Sequence, residues 1–298
     1  MDTVVDKNTA VILAEKGISP ILHRYADFDK QLQDYEEIVD SLDSSAAPVG
    51  ISIGSGPMCL NHAIGMYEKG CRLFCVDVAH GHHILMKKAL ETLRNEYDKH
   101  IYIIAGNVCT LEGINDLADW GADAVRCNIG GGSICSTRLV TGHGLPGLQT
   151  IFDCAKTDRD VKIIADGGIK TSGDIVKALA AGADFVMCGS LLAGTTESPG
   201  RSLTLPDGSR VKEYRGMASK EAQIGWRGKY SSFEGVSARI PYRGSVTKIL
   251  KDAKKGIRSG LSYSGARTIG ELQSKAEFVV QTSSGLSESR THITARKW

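Results

Sequence analysis

One short segment carries the side chain best suited to covalent chemistry. Asn128-Ile-Gly130-Gly-Gly132-Ser133-Ile-Cys135-Ser-Thr137 is a glycine-rich loop that holds a cysteine near its end. A thiol held among backbone amides and carbonyls can be poised as a thiolate and attack an electrophilic carbon. The plainer alternative, one more buried cysteine, sits badly in a loop this polar. A second pair of segments suits an anion: Ala165-Asp166-Gly-Gly168, then Gly189-Ser190 one strand–helix unit later. Glycines let backbone N–H groups approach a phosphate, and late loops of an α/β barrel commonly hold one. Asp166 is placed to accept from ribose hydroxyls. Alone, the pair does not separate a nucleotide from flavin mononucleotide or a sugar phosphate, and tight turns without a ligand are the plainer alternative. His80, His82 and His83 invite a metal, but no carboxylate is spaced to complete a set, so structural or hydrogen-bonding roles are favoured. Trp226 and Tyr230 suit either stacking on a base or anchoring a flap.

These residues need elements to position them. Short runs rich in Val and Ile read as strands buried on both faces: 18–22, 49–53, 73–78, 101–105, 124–129, 161–165 and 185–188. The stretches between them read as helices. Phe28, Leu32, Tyr35, Val39 and Leu42 fall on one helical face, as do Met86, Leu90, Leu93 and Tyr97. Gly17, Gly70, Gly121 and Gly182 each precede a strand, the position expected just past a helix C-cap. Alternating β and α with short connections implies a parallel sheet. An open doubly wound sheet would carry a G-x-G-x-x-G turn after its first strand, and none stands there. A closed barrel gathers its chemistry at the strand C-terminal ends, where the glycine and polar clusters lie. The expected fold is therefore a (β/α)8 barrel. Only seven strands follow residue 17, and Met1-Asp-Thr-Val4 reads as the loop after a strand, so the first strand is expected to be missing, leaving an unpaired edge.

From about residue 195 to 240 the rhythm gives way to a polar, glycine-rich excursion, read as a flap near the site. A last amphipathic helix follows, with Val246, Ile249, Leu250, Ala253, Ile257 and Leu261 inward; residues 280–298 read as a mobile tail. The 298 residues suit one domain, 1–298. The net charge of +2 gives no basic footprint for nucleic acid. No apolar stretch is long enough to span a bilayer and no signal peptide opens the chain, so the expected location is the cytoplasm. None of the eight cysteines forms a C-x-x-C pair, which points to reduced thiols rather than a disulfide framework or zinc ribbon.

The cysteine loop, G-x-G-S-x-C-x-T, resembles the catalytic loop of the IMP dehydrogenase/GMP reductase family. Supporting matches run through the whole chain: M-D-T-V at 1–4, D-V-A-H-G-H at 77–82, A-G-N-V at 105–108, A-D-G-G-I at 165–169, G-S-L-L-A-G-T-T-E-S-P-G at 189–200, Y-R-G-M at 214–217, E-G at 234–235 and R-S-G-L-S-Y-S-G-A at 258–266. The resemblance implies a barrel enzyme, homotetrameric, acting on a purine mononucleotide with NADPH or NAD and potassium. Cys135 would add to purine C2, with hydride passing between C2 and a nicotinamide. Ser133, Gly168, Gly189, Ser190 and Tyr214 would hold the 5′-phosphate and Asp166 the ribose. Gly216, Met217 and Ala218 would line the base, and Glu234 would meet its N1. Asp77, Asn107 and Arg126 would lie near the nicotinamide or the thiol. The carbonyls of Gly130, Gly132 and Cys135 resemble the family's potassium site.

Which reaction follows turns on the flap. In this family the dehydrogenases hydrolyse a covalent adduct and use an adjacent Arg-Tyr pair to activate water. The reductases expel ammonia, and their proton relay resembles Thr137 with Glu234. Here the segment between Met217 and Glu234 is short, Arg227 and Tyr230 are not adjacent, the regulatory pair of small domains usual in dehydrogenases is absent, and Leu22-His23-Arg24-Tyr25 resembles the reductases. These features favour a NADPH-dependent GMP reductase. G-T-T-E-S-P-G and the tail K-A-E-F-V-V-Q-T-S-S-G-L-S-E-S are more similar to bacterial dehydrogenases, which keeps NAD-dependent oxidation of IMP as the alternative. A third reading is a truncated, inactive nucleotide-binding homologue.

Overall fold

The computed structural model describes residues 1–231 and 234–290. Seven parallel strands lie in chain order across one curled sheet: β1 (Ile21–Leu22), β2 (Gly50–Ile53), β3 (Leu73–Asp77), β4 (Tyr102–Val108), β5 (Ala124–Cys127), β6 (Lys162–Asp166) and β7 (Phe185–Met187). Each matches a run expected from the sequence. Among the described residues β7 pairs with β6 alone and β1 with β2 alone, so the sheet stays open along one seam. A side cluster packs there: Val4, Leu13, Leu192, Ala193, Tyr214 and Val246, joined by Ile18 beside β1 and Cys188 after β7.

The helices on the outer face are α1 (Lys7–Glu15), α2 (Phe28–Asp40), α3 (Cys59–Glu68), α4 (Ile84–Tyr97), α5 (Leu111–Asp119), α6 (Thr137–Thr141), α7 (Gly147–Cys154) and α8 (Ser172–Ala180). Gly17, Gly70, Gly121 and Gly182 follow the C-caps of α1, α3, α5 and α8, all with positive φ, as anticipated. The α4 stripe is also as expected: Met86, Leu90 and Leu93 are fully buried, each stabilising the fold by roughly 1.5–3 kcal/mol. The α2 stripe is rotated from its expected face. Phe28 and Val39 are exposed, while Gln31, Tyr35 and Ile38 are buried. Gln31 can be buried because its amide donates to the carbonyls of His23 (2.9 Å) and Ser52 (3.3 Å).

The polar excursion has structure of its own, which the sequence reading missed. Antiparallel strands β8 (Ser202–Thr204), β9 (Arg210–Arg215) and β10 (Ser237–Pro241) form a small sheet, with α9 (Lys220–Arg227) between the last two. Lys212 on β9 is buried, and its ammonium donates to the carbonyls of Thr195 (2.8 Å), Thr196 and Ser198. Burial pulls its pKa below the ordinary lysine value. Helix α10 (Val246–Tyr263) carries the inward stripe read from the sequence and packs on α8; α11 (Ile269–Lys275) packs beside it. A short α12 (Ser283–Glu288) occupies part of the expected tail; residues 291–298 of that tail lie outside the described residues. Among the described residues no helix is long and apolar enough to cross a membrane.

Candidate active site

The cysteine loop leaves the C-terminal end of β5. Asn128, with φ at 121°, turns the chain, and its side-chain amide donates to the Asp166 carbonyl at 2.8 Å. A side chain on Gly131 would place its Cβ 1.9 Å from that amide nitrogen, so only glycine fits. Gly167 likewise lies against the Gly131–Gly132 backbone. The loops after β5 and β6, the two motifs singled out first, therefore touch backbone to backbone. Arg138 braces the far side, donating to the Ile129 carbonyl (2.9 Å), the Asn128 side chain (2.9 Å) and the Leu145 carbonyl.

Cys135 is exposed at the end of this loop, before α6. Its Sγ is 3.1 Å from Thr137 Oγ1, and that hydroxyl donates to Glu234 Oε2 at 2.8 Å. With the threonine proton committed to the carboxylate, the Cys135 thiol has two acceptors, Thr137 Oγ1 and the Glu234 carbonyl at 3.6 Å. The three groups form a directed path from thiol to carboxylate. The backbone fixes it: Cys135 and Gly235 form an antiparallel bridge, with Ser136 N–H donating to Glu234 (2.8 Å) and Val236 N–H to Ile134 (3.0 Å).

Below the mouth, four strand ends converge on Arg126. Its guanidinium donates to Asp77 on β3 and, through Nη2 (2.7 Å) and Nε (3.1 Å), to Asp166 on β6. Asn107 on β4 donates to the same Asp166 oxygen at 2.7 Å and to the Asn128 carbonyl at 2.8 Å. Burial would push the Asp77 carboxyl up; Arg126 and Arg24 outweigh it and hold it below the ordinary value. Burial also works against the Arg126 charge, and Asp166 and Asp77 more than restore it. Asp77, Asn107 and Arg126 are thus brought together as expected. Asp166, assigned to the ribose alone, is also a keystone of this network through Oδ2.

The expected phosphate residues are linked in two contacts. Ser133 Oγ donates to the Tyr214 hydroxyl at 3.5 Å, and Gly189 lies beside that same hydroxyl. Ser190 donates to the Ile169 carbonyl at 3.4 Å, tying its loop to that of Gly168. Gly168 also helps line a cavity of about 250 Å³ bounded by the loops after β5 and β6 and by α7 and α8, a lining that the other four phosphate candidates do not join. Gly216 N–H donates to Val236 (3.1 Å), and the Ala218 carbonyl accepts from Glu234 N–H (3.2 Å) and Gln223 (3.1 Å). The Ala218 carbonyl, expected to face a base, is thus already engaged within the protein. Met217 Sδ accepts from the Asp2 amide at 3.3 Å, and Asp2 pairs with Arg215. Within the potassium set, the Gly132 carbonyl accepts from Cys135 N–H at 3.1 Å.

The other candidates serve elsewhere. His82 Nε2 lies 2.8 Å from Asp116, and His83 caps α4 by accepting from Leu85 N–H. Trp226 packs on Tyr25, ring centroids 4.5 Å apart, so it anchors the flap helix to the loop after β1. Arg227 donates to Gln223 (2.5 Å) and Ser231 (3.0 Å) within the flap. Residues 232 and 233, the last two of the flap segment, lie outside the described residues. Sequence reasoning assigned no role to Asn128, Arg138 or Arg243; only the polar motif around Asn128 hinted at the first.

Parallel strands in chain order, with glycine loops and polar side chains gathered at their C-terminal ends, define a protein of the barrel type. Residues 1–292 match the IMP dehydrogenase / GMP reductase domain, and the chain belongs to this family of oxidoreductases. It is similar to inosine-5′-monophosphate dehydrogenase from Nitrosopumilus maritimus, 45% identical over 269 residues, covering 85% of this chain and 56% of that protein. It is equally similar to GMP reductase from Leishmania major, 44% identical over 259 residues, covering 82% of this chain and 52% of the relative. Among solved structures, a cysteine-to-alanine variant of GMP reductase from Trypanosoma brucei, in complex with guanosine 5′-monophosphate, superposes with a TM-score of 0.80 at 42% identity, covering 86% of this chain and 54% of that one. The chain spans about half the length of these relatives.

Proposed function

We propose that this chain is a GMP reductase, converting GMP and NADPH to IMP, ammonia and NADP+. The observation that carries the reading is the path Cys135–Thr137–Glu234. As the Cys135 sulfur bonds to purine C2, its proton passes through the Thr137 hydroxyl to the Glu234 carboxylate. The same proton then returns along the path to the 2-amino group, which leaves C2 as ammonia. No water enters, so no water-activating base is called for. Arg227 is consistent with this, being tied to Gln223 and Ser231 inside the flap. The bound reduced nicotinamide supplies a hydride to C2. The carbon–sulfur bond then breaks, releasing IMP and a Cys135 thiolate, which takes up one proton from solvent to restore the starting thiol.

The residues present fit such a cofactor. Arg126 is neutralised by Asp77 and Asp166, so the floor they form favours an uncharged carboxamide over a second anion. Asn107 spends both amide hydrogens on Asp166 and Asn128, leaving its oxygen as an acceptor. The carbonyls of Gly130, Gly132 and Cys135 are an oxygen-only set of the kind that suits potassium, which when bound would steady the cysteine loop. Assembly as a homotetramer belongs to the same reading.

The comparable identity to dehydrogenases supports a second reading, NAD-dependent oxidation of IMP. Absorbance at 340 nm in two assays separates the possibilities. Loss of absorbance with GMP and NADPH, with ammonia release, supports the reductase. A gain with IMP, NAD and potassium replaces it with the dehydrogenase. Silence in both assays, with nucleotide still bound, leaves a binding protein without turnover.

A further inference from the structure

Arg243 lies outside every motif assigned above, yet it reaches the loop after β7. Its Nη1 donates to the Ser190 carbonyl at 2.7 Å, and its own N–H donates to Gly194 at 2.9 Å. Thr196 N–H returns a bond to Gly244 at 2.8 Å, so the segment between β10 and α10 grips this loop at both ends. The gripped loop carries Gly189, which sits beside the Tyr214 hydroxyl, and Ser190, whose hydroxyl is tied to the Gly168 loop. Burial pushes the Tyr214 hydroxyl up; its bond with Ser133 and the positive field of Arg243 both oppose that, so the guanidinium charge is felt at that hydroxyl. The Ser190 bond uses one of five guanidinium donors.

Apart from the Asp166 carboxylate, whose negative field also reaches Tyr214, the remaining groups here are neutral: two hydroxyl side chains, a phenol and glycine amides. A 5′-phosphate carries about −1.5 to −2 charge near neutral pH. Neutral donors can orient such a group, but a nearby fixed cation adds attraction that a nucleoside does not feel. We infer that Arg243 is a specificity residue of this site, favouring nucleoside monophosphates over nucleosides by supplying the positive charge at the 5′-phosphate. The inference rests on reading the Gly168 and Gly189–Ser190 loops as the phosphate site, and it holds for either direction of redox chemistry.

The test is a cycle of two changes, Arg243→Gln in the protein and removal of the phosphate from the ligand. Binding of GMP and of guanosine is measured by calorimetry for both proteins at low and high salt. For an exposed charge facing an anion, the variant is expected to bind GMP about two- to five-fold more weakly at low salt. Guanosine affinity should not change, the GMP deficit should shrink in high salt, and Arg243→Lys should recover most of it. Equal losses for GMP and guanosine would mean Arg243 only braces the loop, and would overturn the inference. Unchanged GMP binding would overturn it as well. If the wild type itself bound GMP no more tightly than guanosine, the phosphate-site reading would fall, whatever the variant did.

Discussion

Replacing Thr137 with valine removes one hydroxyl and almost no volume. In the structure that hydroxyl is the only group described between Cys135 Sγ, at 3.1 Å, and Glu234 Oε2, at 2.8 Å. Thr137 is 7% exposed, so a water is poorly placed to take over. Glu234 would keep its charge and Cys135 its thiol, but neither could pass a proton to the other. Positioned acid–base groups are worth about 10²–10⁴ in rate, which corresponds to about 3–5 kcal/mol of barrier. Lost hydrogen bonding to a carboxylate also costs stability, on the order of 1.5 kcal/mol with Glu234 partly open to solvent. The assay is ammonia release together with absorbance at 340 nm under saturating GMP and NADPH. Expected is a fall in kcat of about 10²–10⁴ with GMP affinity preserved, and substantial recovery in Thr137→Ser. A valine variant within about three-fold of the wild-type kcat would refute the relay, since that loss is far below the acid–base range.

Three further outcomes follow from the geometry. Cys135→Ala should abolish turnover while GMP still binds in calorimetry; residual turnover at the wild-type rate would take the thiol out of the chemistry. Glu234→Gln should keep the hydrogen bond to Thr137 but slow ammonia release at least about 10²-fold, and an unchanged single-turnover rate would count against the reductase. Burial of His23 lowers its pKa from 6.5 to about 4. The unfolded chain therefore binds more protons than the folded one between those values, so stability is full above pH 6.5 and declines as pH falls toward 4. The loss amounts to about 3 kcal/mol, and His23→Gln should flatten that slope in urea titrations between pH 4 and 7.5; parallel slopes in both proteins would show that His23 is not the origin.

What the sequence disclosed was mostly local. Gly17, Gly70, Gly121 and Gly182 marked helix ends because a left-handed residue is required there by the helix itself. The seven strands announced themselves as apolar runs, since both faces are buried in most of them; β7, with Phe185 exposed, is apolar without that burial. The cysteine loop was legible because its nucleophile, hydroxyl and glycines lie within ten residues. The α2 face was misread because its buried stripe includes Gln31, polar in type but satisfied by two backbone carbonyls. Strands β8 to β10 were missed because β8 and β10 are short with no fully buried residue, and the buried positions of β9 include a lysine, so no apolar run stands out. Asp166 as the partner of Arg126, and Arg243 as the partner of Ser190, depend on contacts 40 and 53 residues apart. No spacing rule reaches that far; the fold must be in hand first.

The bridge between Cys135 and Gly235 has a mechanical meaning. Nucleophile and carboxylate come from segments almost one hundred residues apart, yet main-chain hydrogen bonds stitch them into one small patch of ladder. Breathing of the loops therefore carries both groups together, and their separation varies less than the position of either. The stitching uses no side chain. Substitutions of the Cys135, Thr137 or Glu234 side chains leave these main-chain bonds in place, whereas Gln223 on the helix 220–227 shares the Ala218 carbonyl with Glu234 N–H and so links that helix to the frame.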